Sequence, residues 1–136
     1  MKYRYGKFLC CIDLMWGYID YDGCFHDLFY MESKKQLVAF RMFSENLIEM
    51  GFVNTHKKGK YGIPLLDQII YDINKKCIIY ENLAHVDDDV WIKSLSSDFC
   101  VISHKNNPNN YKNEVYDIKE WSLKFVFEGK TPFLIE

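Results

Sequence analysis

Residues 33–51 read Ser33-Lys34-Lys35-Gln36-Leu37-Val38-Ala39-Phe40-Arg41-Met42-Phe43-Ser44-Glu45-Asn46-Leu47-Ile48-Glu49-Met50-Gly51, and the class of the fold turns on how this stretch is taken. Ser33 followed three residues later by Gln36 has the form of a capping box, and Gly51 stands where a left-handed residue stops a helix. Between them Leu37, Phe40, Leu47 and Ile48, with Val38 and Met42 beside them, give a broad apolar face. The spacing predicts a helix over 34–50. A second helix is expected after Pro64, which suits a first helical turn, because Leu65, Leu66, Ile69, Ile70 and Ile73 recur at helical spacing.

Strand signals lie outward from these two segments. From Phe8 to Tyr18 the even positions are all apolar, the period of a strand with one face on a core. Asp20-Tyr21-Asp22-Gly23 supplies turn chemistry, with Phe25 to Met31 as the returning strand. Short strands are expected over 76–81 and 99–103, and Asn106-Asn107-Pro108-Asn109-Asn110 reads as a loop. Leu123, Phe125 and Phe127 alternate with other residues, and Glu128-Gly129-Lys130-Thr131 can turn the chain into Phe133-Leu134-Ile135, a terminal hairpin. No repeat and no dividing linker is apparent. The expected fold is α+β: a single domain over 1–136, with antiparallel strands at both chain ends and two to three helices packed on the sheet.

Composition bounds the function. The 136 residues suit one domain, and a hydrophobic content of 49% is ample to order such a chain. An aromatic content of 17% exceeds what a small core demands and suits interface anchors as well. A formal charge of -2 gives no general pull toward nucleic acid, and Arg4 and Arg41 as the only arginines leave few bidentate phosphate clamps. Cys10, Cys11, Cys24, Cys77 and Cys100 form an odd set without a C-x-x-C pair, which suggests free thiols in a reducing compartment. The basic start through Lys7 and the apolar run Phe8 to Ile12 imitate a signal peptide, but Asp13 cuts the run short. A cytoplasmic protein with no membrane span and no direct nucleic-acid partner is the expectation.

Among chemical motifs, His85-Val86-Asp87-Asp88-Asp89-Val90-Trp91 concentrates carboxylates. Asp87 or Asp88 is expected first as the cap of a helix running through Val90, Trp91 and Leu95, and second as part of an acidic patch that faces a basic partner. The run lacks the spaced ligands and glycine of a calcium loop. Asp13, set between Ile12 and Leu14, is a general acid or base only if buried, and period-two alternation places it away from the core. His26, His56, His85 and His104 show no metal-ligand spacing, and His26 with Cys24 lacks any nucleophile signature. The basic loop Lys57-Lys58-Gly59-Lys60-Tyr61-Gly62 is not a phosphate-binding loop of the Walker type.

The expected function is accordingly a non-catalytic protein-binding or inhibitor protein, with no catalytic residue, metal or cofactor. In size and composition the chain is similar to small bacterial immunity proteins, so the expected partner is a basic toxin domain such as a nuclease. Asp87, Asp88, Asp89, Trp91, Asp20 and Asp22 are the expected partner-binding residues: the carboxylates steer, and the aromatic side chain anchors. The alternatives are a small metal-dependent hydrolase or nuclease-like enzyme, using Asp13, His26 or the Asp87–Asp89 run, and a phage-encoded inhibitor of a host defence protein.

Overall fold

The computed structural model describes residues 3–30, 36–86 and 89–132. Among the described residues twelve strands run in chain order: β1 Tyr3–Arg4, β2 Lys7–Ile12, β3 Met15–Ile19, β4 Phe25–Tyr30, β5 Leu37–Met42, β6 Leu47–Lys58, β7 Pro64–Asp72, β8 Cys77–His85, β9 Val90–Ser94, β10 Phe99–Asn107, β11 Asn110–Asp117 and β12 Ser122–Gly129. They form three four-stranded sheets, ordered β1-β2-β3-β4 (sheet I), β5-β6-β7-β8 (sheet II) and β12-β11-β10-β9 (sheet III). Each sheet is a meander in which neighbours in sequence are neighbours in space, the repeating unit of propeller and other repetitive β architectures. Among the described residues the only helical segment is a 3₁₀ turn at Lys60–Gly62.

The expected α+β fold with two to three helices is therefore wrong, and the chain is nearly all β. Where a helix is predicted over 34–50, the described part forms β5, a four-residue connection Phe43–Asn46, and the start of β6. Arg41 lies opposite Glu49 and Met42 opposite Ile48. The expected capping serine, Ser33, lies outside the described residues. Gly51 is no helix stop: it sits within β6 opposite Ala39, where an added Cβ would meet the Ala39 Cβ at 3.3 Å. The second predicted helix is β7, whose Gln68, Ile70 and Asp72 are buried on one face while Ile69 and Tyr71 pack into a core on the other. A strand covered on both faces loses its period-two signature, and a continuous apolar run then imitates a helix. The helix expected through Val90, Trp91 and Leu95 is replaced by β9.

The chain gathers into two compact units, Met1–Ala84 and His85–Glu136. In the first, sheets I and II share a core of Leu9, Met42, Ile48, Met50 and Ile73, bordered by aromatic side chains. Trp16 meets Phe40 with ring centroids 4.7 Å apart, and Phe29 meets both Phe40 and Tyr71 at 6.2 and 6.0 Å. Arg4, Tyr5 and Lys7 are tied to the end of β5 and to the β5–β6 connection by polar bonds. Arg4 Nη1 donates to Met42 O at 3.2 Å, Tyr5 Oη to Phe43 O at 3.2 Å, and Lys7 Nζ to Glu45 O at 3.3 Å. In the second unit the central strand β10 is buried over four successive residues, Cys100 to Ser103, with Ile92 and Val115 beside it and Ser103 bonded to Asn113 at 2.5 Å.

Within sheet I the even-numbered core face of the sequence reading is broken by a two-residue turn. Asp13 and Leu14 have φ of 51° and 67°, the left-handed pair of a tight hairpin, and the turn reverses the alternation between β2 and β3. Leu9 is buried, whereas Phe8 and Ile12 are exposed; in β3 Trp16 and Tyr18 face the core.

The structure also brings out a repeat. The last turn of every sheet, before its fourth strand, starts with an aspartate whose Oδ1 accepts backbone N–H groups. Asp20 accepts from Asp22 and Cys24, Asp72 from Lys75, and Asp117 from Glu120. A left-handed residue follows in each, Gly23, Lys76 or Trp121. Sheets II and III share more: the words Tyr71-Asp72-Ile73 and Tyr116-Asp117-Ile118 occupy the same place, and the isoleucine N–H groups donate to Asn46 O and Asp98 O at 2.8 Å each. The connections between their first two strands match as well, with Phe43 N–H bonded to Leu47 O and Leu95 N–H to Phe99 O.

Candidate functional site

The richest polar constellation of the first unit is built on the β3–β4 turn. Asp20 directly follows β3; its Oδ1 receives the Asp22 and Cys24 amides at 2.9 and 3.1 Å, and its Oδ2 lies 2.5 Å from His26 Nε2. The Tyr18 ring stacks on His26, with centroids 4.7 Å apart and planes 15° from parallel, and Lys7 Nζ lies 5.5 Å from the Tyr18 centroid. The result is a surface row of lysine, tyrosine, histidine and aspartate. The His26 hydrogen bond, followed by those of the Cys24 and Asp22 amides, holds the Asp20 carboxyl below the usual carboxylate range.

Tyr21 projects from the same turn between Asp20 and Asp22 and is 83% exposed. Its position is nonetheless defined, because its ring lies over Gly6, where a Cβ would come within 3.0 Å of Tyr21 Cε2. Gly6 and Gly23 both have positive φ, so glycine fits the two backbones that bring the turn and the β1–β2 connection together. Asp20 and Asp22, both expected partner-binding residues, thus share one turn, and the sequence reading missed that Tyr21, Tyr18 and His26 belong with them. The signal available was the hairpin: strands joined by Asp20–Gly23 place Tyr18 opposite His26.

The remaining expected residues lie elsewhere. Asp89 precedes β9; its N–H donates to Val86 O at 3.2 Å and its carbonyl accepts from Lys105 at 2.8 Å. Trp91, opposite Ser103 on β9, is 40% exposed. Asp87 and Asp88 lie outside the described residues. Asp13 is exposed in its hairpin turn. Cys24 donates its amide to Asp20 rather than standing as a thiol paired to His26.

A second constellation, absent from the sequence reading, lies in sheet III. His104 Nε2 and Tyr116 Oη both approach Glu114 Oε1, at 2.6 and 3.4 Å, and Lys112 Nζ is 3.8 Å from Glu114 Oε2. Tyr116 also stacks on Trp121 with centroids 4.8 Å apart. Burial, then the Glu114 charge and hydrogen bond, push the Tyr116 hydroxyl up to about 12, so it stays a neutral donor. A hairpin closing at Pro108-Asn109, with a register shift between Lys105 and Asn107, brings His104 opposite Lys112 and diagonal to Glu114; counting out from the turn alone would have set His104 opposite Asn113.

In the first unit Glu49 is buried and held by Arg41 Nε and Gln68 Nε2, each at 2.5 Å. Among the described residues no group of three or more His, Cys, Asp or Glu side chains is arranged to hold a metal ion, and no helix is long and apolar enough to cross a membrane. All five cysteines are free thiols. The chain matches no family model, no curated protein and no solved structure.

Proposed function

We propose that the chain is a non-catalytic protein-binding protein built on repeated four-stranded meanders, and that the turn from Asp20 to Cys24 docks a partner with a basic surface. The observation that carries this reading is Tyr21, an exposed aromatic side chain seated on Gly6 and flanked by two carboxylates. Tyrosine supplies large contact area for little conformational entropy, which is why such residues dominate binding energy at interfaces. The flanking charges steer an oppositely charged partner and fix its register. Asp20 is kept ionised by His26 and by the backbone of its own turn, so the charge is preorganised.

The test compares native protein with Tyr21→Ala and with Asp22→Asn as baits in quantitative cross-linking from source-cell extract. The reading is supported by a partner that the native bait recovers, that Tyr21→Ala loses, and that Asp22→Asn captures less well by a margin growing as salt is lowered, provided both variants melt as the native protein does. Equal recovery by all three baits refutes it.

A further inference from the structure

We infer that the tip of the β6–β7 hairpin is a finger that docks on the surface of an anionic lipid bilayer, with its lysines against the headgroups and Tyr61 and Ile63 in the interface. This goes beyond the protein-binding reading of the Asp20–Cys24 turn and uses none of its residues. Comparison of the middle hairpins of the three sheets sets the tip apart. In sheets I and III that hairpin closes in two residues, Asp13-Leu14 and Pro108-Asn109. In sheet II residues 59–63 separate the strands, and between the Val53–Leu66 and Lys58–Pro64 pairs β6 carries residues 54–57 against Leu65 alone. An insertion on a repeated frame often forms its binding face.

The inserted residues are exposed from 55 to 64, apart from the half-buried Gly59. Lys57, Lys58 and Lys60 stand there beside His56, and residues 50–66 contain no aspartate or glutamate. Among the described residues no carboxylate pairs with these three lysines. The chain as a whole has a formal charge of -2, so the tip reverses the sign locally. Charge is felt over about 10 Å in 0.1 M salt, and a surface touched by the tip therefore responds to its lysines ahead of the net charge. Tyr61 is 98% exposed and Ile63 54%. Tyr61 takes the left-handed φ of 60° and ψ of 25°, a backbone conformation uncommon for tyrosine. Hydrogen bonds hold this display in place. Asn54 Oδ1 accepts the His56 and Lys57 amides at 2.9 and 2.8 Å, and Asn54 Nδ2 donates to Asp67 Oδ1 at 2.8 Å. At the tip Gly59 N–H donates to Ile63 O at 2.8 Å and Ile63 N–H to Lys60 O at 3.2 Å.

The chemistry of the tip favours lipid over nucleic acid. Nucleic-acid binding draws on arginine forks for phosphate and on several aromatic faces for successive bases, whereas the tip has no arginine and one aromatic ring. Ile63 adds apolar surface with no role toward a base edge or a phosphate. At a bilayer each residue has a place: tyrosine sits at headgroup depth with its ring apolar and its hydroxyl wet, and lysines act as point charges in the negative surface potential. Contact of this kind lies on the surface and needs no spanning segment.

Co-sedimentation of the full chain with vesicles tests the docking. The chain should bind phosphatidylcholine vesicles containing about one-third phosphatidylserine, less well as salt rises, and should bind pure phosphatidylcholine far less. Lys57→Gln, Lys58→Gln and Lys60→Gln should each weaken binding by about fivefold, and the triple variant by about a hundredfold. Tyr61→Ala should weaken it at every salt concentration, whereas Tyr61→Trp should bind as the native chain does, with tryptophan emission quenched by lipids brominated in their chains. These positions are exposed, so the variants should melt like the native chain. The proposal is overturned by a chain that does not bind the phosphatidylserine vesicles, by a triple lysine variant or a Tyr61→Ala protein that binds them as the native chain does, or by Tyr61→Trp emission that brominated lipid leaves unquenched. A single-stranded oligonucleotide that displaces the chain from the vesicles, and whose binding the same variants lose, would assign the tip to nucleic acid and overturn it too.

Discussion

Replacing Gly17 by alanine adds one methyl group where β3 and β4 approach most closely. An ideal Cβ on Gly17 would lie 2.1 Å from the His26 carbonyl oxygen and 2.9 Å from Phe25 Cζ. The phenyl ring can turn aside, but the carbonyl belongs to β4 itself. Carbon and oxygen rest at about 3.3 Å even in close strand contacts, so the two strands must part locally by about 1 Å. Ordinarily alanine would improve on glycine within a strand by about 0.5–1 kcal/mol, because it restricts the unfolded chain. Against this stand overpacking of about 1–3 kcal/mol and the loss of a ladder hydrogen bond at about 1 kcal/mol. The net expectation is destabilisation by about 2–3 kcal/mol, or about 10 °C in melting temperature for a chain of this size. Gly23→Ala is the control: its φ is 79° but nothing lies within 4 Å of the added Cβ. It should cost only the left-handed strain of about 1 kcal/mol. Urea denaturation of both variants measures the difference, and hydrogen exchange should show lost protection concentrated in β3 and β4. A Gly17→Ala protein as stable as the native one, or no worse than Gly23→Ala, would refute the close approach.

The repeated turn makes a paired prediction: Asp117→Ala removes the acceptor for the Glu120 amide and Asp72→Ala that for Lys75, and each should lower stability by about 1 kcal/mol in thermal melts, while Asp117→Asn should recover most of the loss. The Asp20 carboxyl titrates below its unfolded value of about 3.9, so its contribution is fully present above that pH and is lost as pH falls through the lower, folded value; Asp20→Asn should lower stability near neutrality and flatten the acid limb of the stability curve, the two proteins converging at low pH. Burial pushes the Cys100 thiol up to about 12, whereas Cys11, Cys24 and Cys77 are exposed, so thiol labelling of native protein followed by mass spectrometry should reach those three and modify Cys100 only after denaturant is added.

How far the sequence carries depends on where each strand sits. Turns with their own chemistry are legible: Asp20-Tyr21-Asp22-Gly23 and the asparagine-rich run at 106–110 both mark hairpins, and β4 and β10 flank them. The turn Asp13-Leu14 is not, because leucine at a φ of 67° carries none of the glycine or asparagine preference that announces a tight hairpin. The central strands β6 and β7 are the least legible, since burial on both faces erases alternation and leaves apolar residues at every spacing, helical spacing included. The repeat is hidden in the sequence for a related reason. It resides in a few turn positions, Tyr71-Asp72-Ile73 and Tyr116-Asp117-Ile118, while the strands between differ in length and the β6–β7 connection carries a 3₁₀ turn absent from sheet III. For the candidate site, the acidic residues of the β3–β4 turn stood out in the sequence. Their joining to Tyr18 and His26 follows from the hairpin only once its two strands are paired residue by residue from the turn.

The central claim is that the segment between Leu37 and Phe52 is a hairpin and not a helix, and nuclear Overhauser contacts between Arg41 and Glu49 test it most directly. As directly opposed residues of β5 and β6 they should have Cα atoms about 4.5–5.5 Å apart, with Phe40–Met50 and Met42–Ile48 pairs on either side. In a helix the eight residues from Arg41 to Glu49 would span about 12 Å, beyond the reach of such contacts. Strong cross-strand contacts at all three pairs are the expected result; their absence, together with contacts between residues three and four apart from Leu37 to Met50, would contradict the all-β account.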